Sequence, residues 1–252
     1  MYKICPKCHY EKQVNDPEKM ESCPSCGIIY KKWLKQQFKS STVIADNGNS
    51  GISSHLFKQV FNYLLYVAPK TEPVYFYPRV ILFVLFMIWG WQFIMMDFVR
   101  NPFEIVGSFM HIINLVFHEA GHVFFSPFGW FMTILGGTLF QLIMPLIVVL
   151  TFIIKNHDNF AASIGLWWLG QSFMDSAPYI DDALDQKLVL LGGRTGADAP
   201  GNHDWNNILG ELNMLERHRE FATLADSTGT VLMVLAFAWG GYILYQQYKH
   251  LN

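Results

Sequence analysis

Five apolar segments between residues 80 and 245 constrain the fold of this chain more than any other feature. A helix needs about 20 mostly apolar residues to cross a bilayer, and only helices or closed barrels satisfy their backbone groups there. The five segments are Val80–Met96, Ile105–Ser126, Trp130–Ile154, Phe160–Ile180 and Thr230–Tyr245. The chain is 52% hydrophobic and 15% charged, whereas soluble domains carry about 25% charge. We therefore predict an all-α polytopic membrane domain with four to five transmembrane helices over residues 80–252.

The region before these segments is polar and differs in composition along its length. Residues 1–35 contain all four cysteines and predict a small separate module. Residues 36–79 form a linker rich in Ser, Gly and Asn, with an amphipathic helix expected on the membrane surface at residues 55–67. Pro69, Pro73 and Pro78 are expected to interrupt any helix that follows.

The distribution of basic residues predicts how the chain is oriented in the membrane. Seven basic residues lie between Lys31 and the first apolar segment, which favours a cytoplasmic N-terminus. They are Lys31, Lys32, Lys35, Lys39, Lys58, Lys70 and Arg79. Five alternating spans would then bring the polar stretch 181–228, with Lys187, Arg194, Arg217 and Arg219, to the same side. The net charge of −2 gives no indication of a nucleic-acid partner.

The cysteines occur as two CxxC pairs, Cys5 and Cys8, then Cys23 and Cys26. Two such pairs let four thiolates converge on one tetrahedral zinc. A module of about 35 residues is too small to fold stably without a bound metal ion of this kind. The sequence "CPSCGIIYKKW" resembles the zinc ribbon family, which implies a closed structural zinc and a role in structure or partner recognition rather than catalysis. The sequence leaves open whether the module binds a protein partner, a nucleic acid or the membrane domain of its own chain, with nucleic acid the least expected.

The second apolar segment contains "HEAGH", the HExxH pattern of zinc hydrolases. On a helix, His118 and His122 project from one face and can share a zinc, with Glu119 beside them as a general base. His111 and Asn114 fall on the same stripe of the helix. Ionisable groups at membrane depth are costly to keep, so this cluster indicates a metal site.

A catalytic zinc usually has three protein ligands, and the third is left open by the sequence. Asp175 is the first candidate, because an acid within an apolar segment needs a partner. Asp181 and Asp182 are the next, and His203 in "GNHDW" is a further alternative. The Gly-rich loop before that motif is expected to be a gate beside the site, with His203 and Asp204 close to it.

These residues resemble the site-2 protease family of intramembrane metalloproteases over about residues 80–182. The resemblance implies a three-helix core with HExxH on its first helix and an acidic zinc ligand on its third. His118, Glu119 and His122 match by motif, and Asp175 matches by position. The segment "DSAPYIDDA" is only distantly similar to the family's Asn-x-x-Pro and Leu-Asp-Gly motifs. Asp181 and Asp182 therefore remain alternatives to Asp175 as the third zinc ligand. A zinc ribbon joined to such a core is similar to certain bacterial membrane proteins, which implies the inner membrane.

The sequence therefore predicts an intramembrane zinc metalloprotease. One catalytic and one structural Zn²⁺ are expected. A water activated by the catalytic zinc would hydrolyse peptide bonds of membrane-embedded or juxtamembrane protein substrates. The alternative is a non-proteolytic membrane regulator or assembly factor whose metal site is structural or vestigial.

Overall fold

The computed structural model describes residues 5, 7–8, 10–11, 13, 16, 21–30, 51–67 and 71–251. The chain forms two compact units, Met1–Lys58 and Gln59–Asn252. The described residues form helices and isolated β-bridges but no β-strand, so the expected all-α class is confirmed.

Eight α-helices account for most of the described residues. They are α1 Gly51–Leu64, α2 Pro73–Met95, α3 Pro102–Val106, α4 Phe109–Phe125, α5 Trp130–Thr151, α6 Asn159–Asp181, α7 Asp204–Glu211 and α8 His218–Lys249. One turn of π-helix, Phe152–Asn156, continues α5. Helix α1 overlaps the helix expected at residues 55–67.

Three helical segments in the described part of the chain are long and apolar enough to cross a membrane: Pro73–Met95, Trp130–Asn156 and Leu215–Lys249. They contain α2, α5 and α8, which fits a membrane protein. Helix α6 has 23 residues but is mostly buried by its neighbours, so it can carry Asn, Gln, Ser and Asp side chains that lipid would not tolerate. Helix α4 has only 17 residues.

Two prolines that were expected to interrupt a helix instead lie in α2. Pro73 occupies the first turn, where its missing N–H would have no helical partner in any case, and Pro78 lies inside the helix. The helix therefore starts before the apolar segment at Val80. Pro69 lies outside the described residues.

The order of helix directions corrects the expected five-span topology. Arg79 of α2 pairs with Asp158 at the start of α6 at 2.7 Å, and Phe86 packs on Trp167 with ring centroids 4.7 Å apart. Both contacts match residues at similar positions along the two helices, so α2 and α6 run parallel. Helix α8 runs against them, because its start lies at Asp181 and its end at Thr71.

Helix α4 begins and ends at the same end of the bundle. Met110 near its start packs with Phe93 near the end of α2. His122 near its end contacts Thr133 at the start of α5, and α5 returns antiparallel to α6. The four long helices α2, α5, α6 and α8 therefore alternate in direction, with α4 inserted at one end. Arg79 and Arg219, expected on one side, consequently lie at opposite ends of the bundle.

Candidate metal centre

The four cysteines lie together in the N-terminal unit. Cys5 Sγ is 3.7 Å from Cys26 Sγ, and Cys8 Sγ is 3.7 Å from Cys23 Sγ. Two sulfurs bound to one tetrahedral zinc at about 2.3 Å lie about 3.8 Å apart. Gly27, at φ +69°, lets the chain turn after the second pair, and its N–H donates to the Cys23 carbonyl. The group is therefore one that can hold a metal ion.

The backbone favours the thiolate form of Cys23. Burial by itself raises the pKa of this thiol, but hydrogen bonds from the backbone of Cys26 and Ser25 lower it to about 6. A thiolate is the form that binds metal. The sulfur of Cys23 is thus prepared for coordination by the turn that carries it.

Helix α4 presents a polar stripe towards α5 and α6. The Ser108 side chain caps its start by accepting from the His111 N–H at 3.2 Å. Asn114, His118 and Gly121 are buried, at the spacing of one helix face, while Val116 and Val123 on the other face are exposed. The sequence therefore folds the HExxH histidines inward.

Glycines set how closely α4 and α5 approach. A Cβ on Gly121 would overlap the carbonyl oxygen of Gly136. A Cβ on Gly137 would lie 2.7 Å from Nε2 of both His118 and His122. The bare backbone of α5 at Gly137 is thus what gives the two imidazoles their room.

Helix α7 brings Asp204 against these imidazoles. Three contacts fix the start of the helix. The His203 side chain accepts from the Asn206 N–H, the Asp204 N–H donates to the Tyr179 hydroxyl at 2.9 Å, and the Trp205 indole donates to Thr138 of α5 at 3.2 Å. Asp204 is therefore held at the first position of α7 by neighbours on α5 and α6.

The carboxylate of Asp204 meets both histidines at a single oxygen. Its Oδ2 lies 3.0 Å from Nε2 of His118 and 3.3 Å from Nε2 of His122. Burial by itself raises the pKa of Asp204, but the hydrogen bonds with His118 and His122 outweigh burial and lower it to about 2. The group therefore offers two imidazole nitrogens and an ionised carboxylate to one metal ion.

A further hydrogen bond fixes the orientation of His122. Its Nδ1 lies 2.8 Å from the carbonyl oxygen of Thr133. A carbonyl can only accept, so Nδ1 carries a proton, and Nε2 is the nitrogen that can bind a metal once it gives up the hydrogen that it shares with Asp204. Metal-binding histidines usually have such a partner, which sets the tautomer and aims the free nitrogen.

Asp175 is not in this group. It is 3% exposed, and it contacts His111 Nδ1, Asn114 Nδ2 and Gln141 Nε2, each at 3.1 Å. The structure thus gives the buried acid three polar partners from α4 and α5, and it brings Asp204 rather than Asp175 to His118 and His122.

The other predicted ligands also lie elsewhere. Asp181 pairs with Arg219 at the start of α8. Asp182 accepts from the backbone N–H groups of Lys187 and Leu188, both at 2.8 Å. His203 is fully buried, packs against Tyr179 with ring centroids 4.3 Å apart and lies 3.4 Å from the Asp182 carboxylate. These residues shape the loop that carries Asp204 instead of joining the cluster.

One cavity of about 740 Å³ is lined by His118, His122 and Asp204, which we call the metal group, and by several of the predicted residues. Its lining includes Glu119, His111 and Asp175 as well as His118, His122 and Asp204, and residues 188–192 form a mostly apolar part of its wall. Glu119 makes no hydrogen bond or ion pair in the described part of the chain. A carboxylate therefore stands free beside the metal group in a cavity that can admit a ligand.

The sequence predicts Asp204 near the site, but it does not predict that Asp204 contacts His118 and His122. The available signal was the "HDW" motif, in which a side chain able to cap a helix precedes an acid and a tryptophan. Comparisons of the chain with protein-family models, curated proteins and solved structures find no match.

Proposed function

We propose that the chain is an intramembrane zinc metalloprotease that hydrolyses peptide bonds of membrane-embedded or juxtamembrane proteins. The observation that carries this proposal is the convergence of His118, His122 and Asp204 on one point, with Glu119 free beside them. A cavity of about 740 Å³ opens on this group, within the range of about 300–1,000 Å³ usual for ligand sites.

Zinc is the metal that the donor set fits best. Two ligands about 2.1 Å from a tetrahedral zinc lie about 3.4 Å apart, close to the 3.0 and 3.3 Å between Asp204 Oδ2 and the two imidazole nitrogens. Three protein ligands leave the fourth position open, as catalytic zinc requires. When bound, zinc would act as a Lewis acid that polarises the scissile carbonyl and makes water more acidic.

Glu119 is the general base of the proposed reaction. It follows His118 directly in α4 and lines the same cavity. Its carboxylate accepts a proton from the attacking water and returns it to the leaving amine as the C–N bond breaks.

The four cysteines would hold a second, structural zinc, because a site closed by four thiolates leaves no position for substrate. We further propose a location in the bacterial inner membrane with a cytoplasmic N-terminus. The metal group would then open at the opposite face, because it lies at the end of the bundle away from Thr71.

The central test is Glu119→Gln, assayed on purified protein in detergent with membrane-protein substrates and with metal analysis. The substitution removes the base but no ligand, so hydrolysis should fall by at least about 100-fold while two zinc ions per chain remain. A wild-type protein that holds two zinc ions and cuts no substrate would instead support a non-proteolytic regulator.

Metal analysis also tests the ligand set. Asp204→Ala should reduce the zinc content from two to one, as should His118→Ala. Asp175→Ala is the matched control, a buried acid lining the same cavity, and should keep both ions. The reverse result for the two acids would return Asp175 to the ligand position.

A further inference from the structure

His111 and Asp175 form a second polar feature of the cavity that the metal group does not use. Nδ1 of His111 lies 3.1 Å from Oδ1 of Asp175. The side chain of Asp175 is 2% exposed and that of His111 is 25% exposed. The histidine is therefore the member of the pair that reaches into the cavity.

The contacts of Asp175 indicate the protonation state of His111. A carboxylate buried to this degree is best stabilised by a partner of opposite charge. Burial by itself lowers the pKa of His111, but the hydrogen bond with Asp175 outweighs burial and raises the pKa. Its other partners, Asn114 and Gln141, are neutral amides, and only His111 can carry a positive charge. An imidazolium neutralises the acid through Nδ1–H and keeps a second N–H, at Nε2. That nitrogen has no hydrogen-bonding partner among the residues that the structure describes.

The position of His111 along α4 relates it to a bound chain. His111 and His118 are seven residues apart, which on one helix is about 10.5 Å. An extended peptide rises about 3.3 Å per residue, so about three residues separate the two points. The His111–Asp175 pair is neutral overall, which suits an uncharged acceptor such as a main-chain carbonyl.

We propose that His111, held by Asp175, is a substrate-binding residue that donates from Nε2–H to a main-chain carbonyl about three residues from the bond that is cut. This inference rests on the proposed function for the identity of the ligand, an extended peptide. It assigns Asp175 the role of a positioning residue for the imidazole.

The test measures peptide binding without turnover, in the Glu119→Gln protein. Three fluorescein-labelled, uncharged Ala- and Leu-rich peptides are compared by anisotropy. One extends beyond three residues on both sides of its central bond, and each of the others keeps only two residues on one side. One truncation should weaken binding about tenfold by removing the carbonyl that His111 contacts.

His111→Ala should remove this difference, so that the long and the truncated peptide bind equally. Because the single substitution leaves Asp175 without the one partner that can carry a positive charge, the double variant His111→Ala/Asp175→Asn serves as a second test. Retention of two zinc ions checks folding of both variants. His250→Ala, a histidine at the end of α8 outside the cavity, should leave the tenfold difference unchanged.

Two results would overturn the inference: peptides that do not bind, or a length effect that persists in both His111 variants. The wild-type protein, assayed for cleavage of the same peptides, reports separately on the proposed function. Absence of cleavage together with a length effect that depends on His111 would refute the protease and leave His111 as a peptide-binding residue.

Discussion

Gly137 offers the most direct test of the geometry of the His118, His122 and Asp204 group. It lies in α5 at the point where the two imidazoles approach the helix. A Cβ built at this position lies 2.7 Å from Nε2 of each ring. Gly137→Ala therefore disturbs two ligands with one methyl group and changes no ligand itself.

The expected effect follows from that distance. Ordinary contacts of a Cβ begin at 3.4 Å, so each imidazole must retreat by about 0.7 Å or α5 must shift by a similar amount. Metal–ligand distances in well-formed sites lie within about 0.2 Å of their usual values. Loss of one supporting contact costs about 10- to 100-fold in metal affinity. With both rings displaced we expect a loss of about 100-fold, or about 2.7 kcal/mol.

The assay is a competition titration with a chelator on purified protein, together with metal analysis. Gly137→Ala should retain the zinc bound by the cysteines and lose the other. Gly210→Ala is the matched control, since it lies in α7 with Asp204 and a Cβ there meets no atom within 4 Å. Unchanged affinity in Gly137→Ala would refute the ring positions on which the metal group depends.

Two further predictions concern the supports of the site. Trp205→Phe removes the indole N–H that donates to Thr138, so zinc affinity should fall by up to about tenfold in the same titration. Trp239→Phe, which loses a bond to Leu64 at the other end of the bundle, should not alter it. Gly229→Val adds bulk where even a Cβ would lie 2.5 Å from the Gly170 carbonyl oxygen. Helices α6 and α8 must therefore separate, which should lower the free energy of unfolding by about 1–3 kcal/mol. The melting temperature, followed by tryptophan fluorescence, should drop by several degrees, whereas Gly241→Ala, with ordinary contacts to Phe83, should leave it nearly unchanged.

The helices were predictable because their signals are local. Apolar segments marked α2, α5 and α8, and the HEAGH stripe placed His118 on a buried face. The paired CxxC motifs likewise predicted that four sulfurs would meet. In the helices and within each CxxC pair, residues close in sequence determine the outcome through helix periodicity or a tight turn.

The direction of α4 was not predictable in this way. Apolar content near the HEAGH motif indicates burial, but it does not distinguish a helix that crosses the bundle from one that enters and leaves at one end. The direction of α4 is set by the packing of Met110 and His122, which both lie at the end of the bundle where α2 ends and α5 begins. Those contacts join segments far apart in the sequence.

The partner of the two histidines also depended on distant contacts. Asp175 was the first candidate for the third ligand because a buried acid needs partners. It does have such partners, since three polar side chains contact it. Asp204 lies in a polar stretch where an acid requires no explanation. Only Tyr179 and Thr138, acting on the start of α7, bring it to the imidazoles.

The position of Asp204 on a short helix outside the four long ones has a consequence for the apoprotein. The two imidazoles belong to α4, whereas the carboxylate belongs to the connection between α6 and α8. A metal ion bound by all three side chains would cross-link that connection to α4. Without the ion, that connection would be held to α4 only by the contacts between the Asp204 carboxylate and the two imidazoles, so residues 182–203 would open more easily. Zinc supply could in this way govern entry to the cavity as well as the chemistry within it.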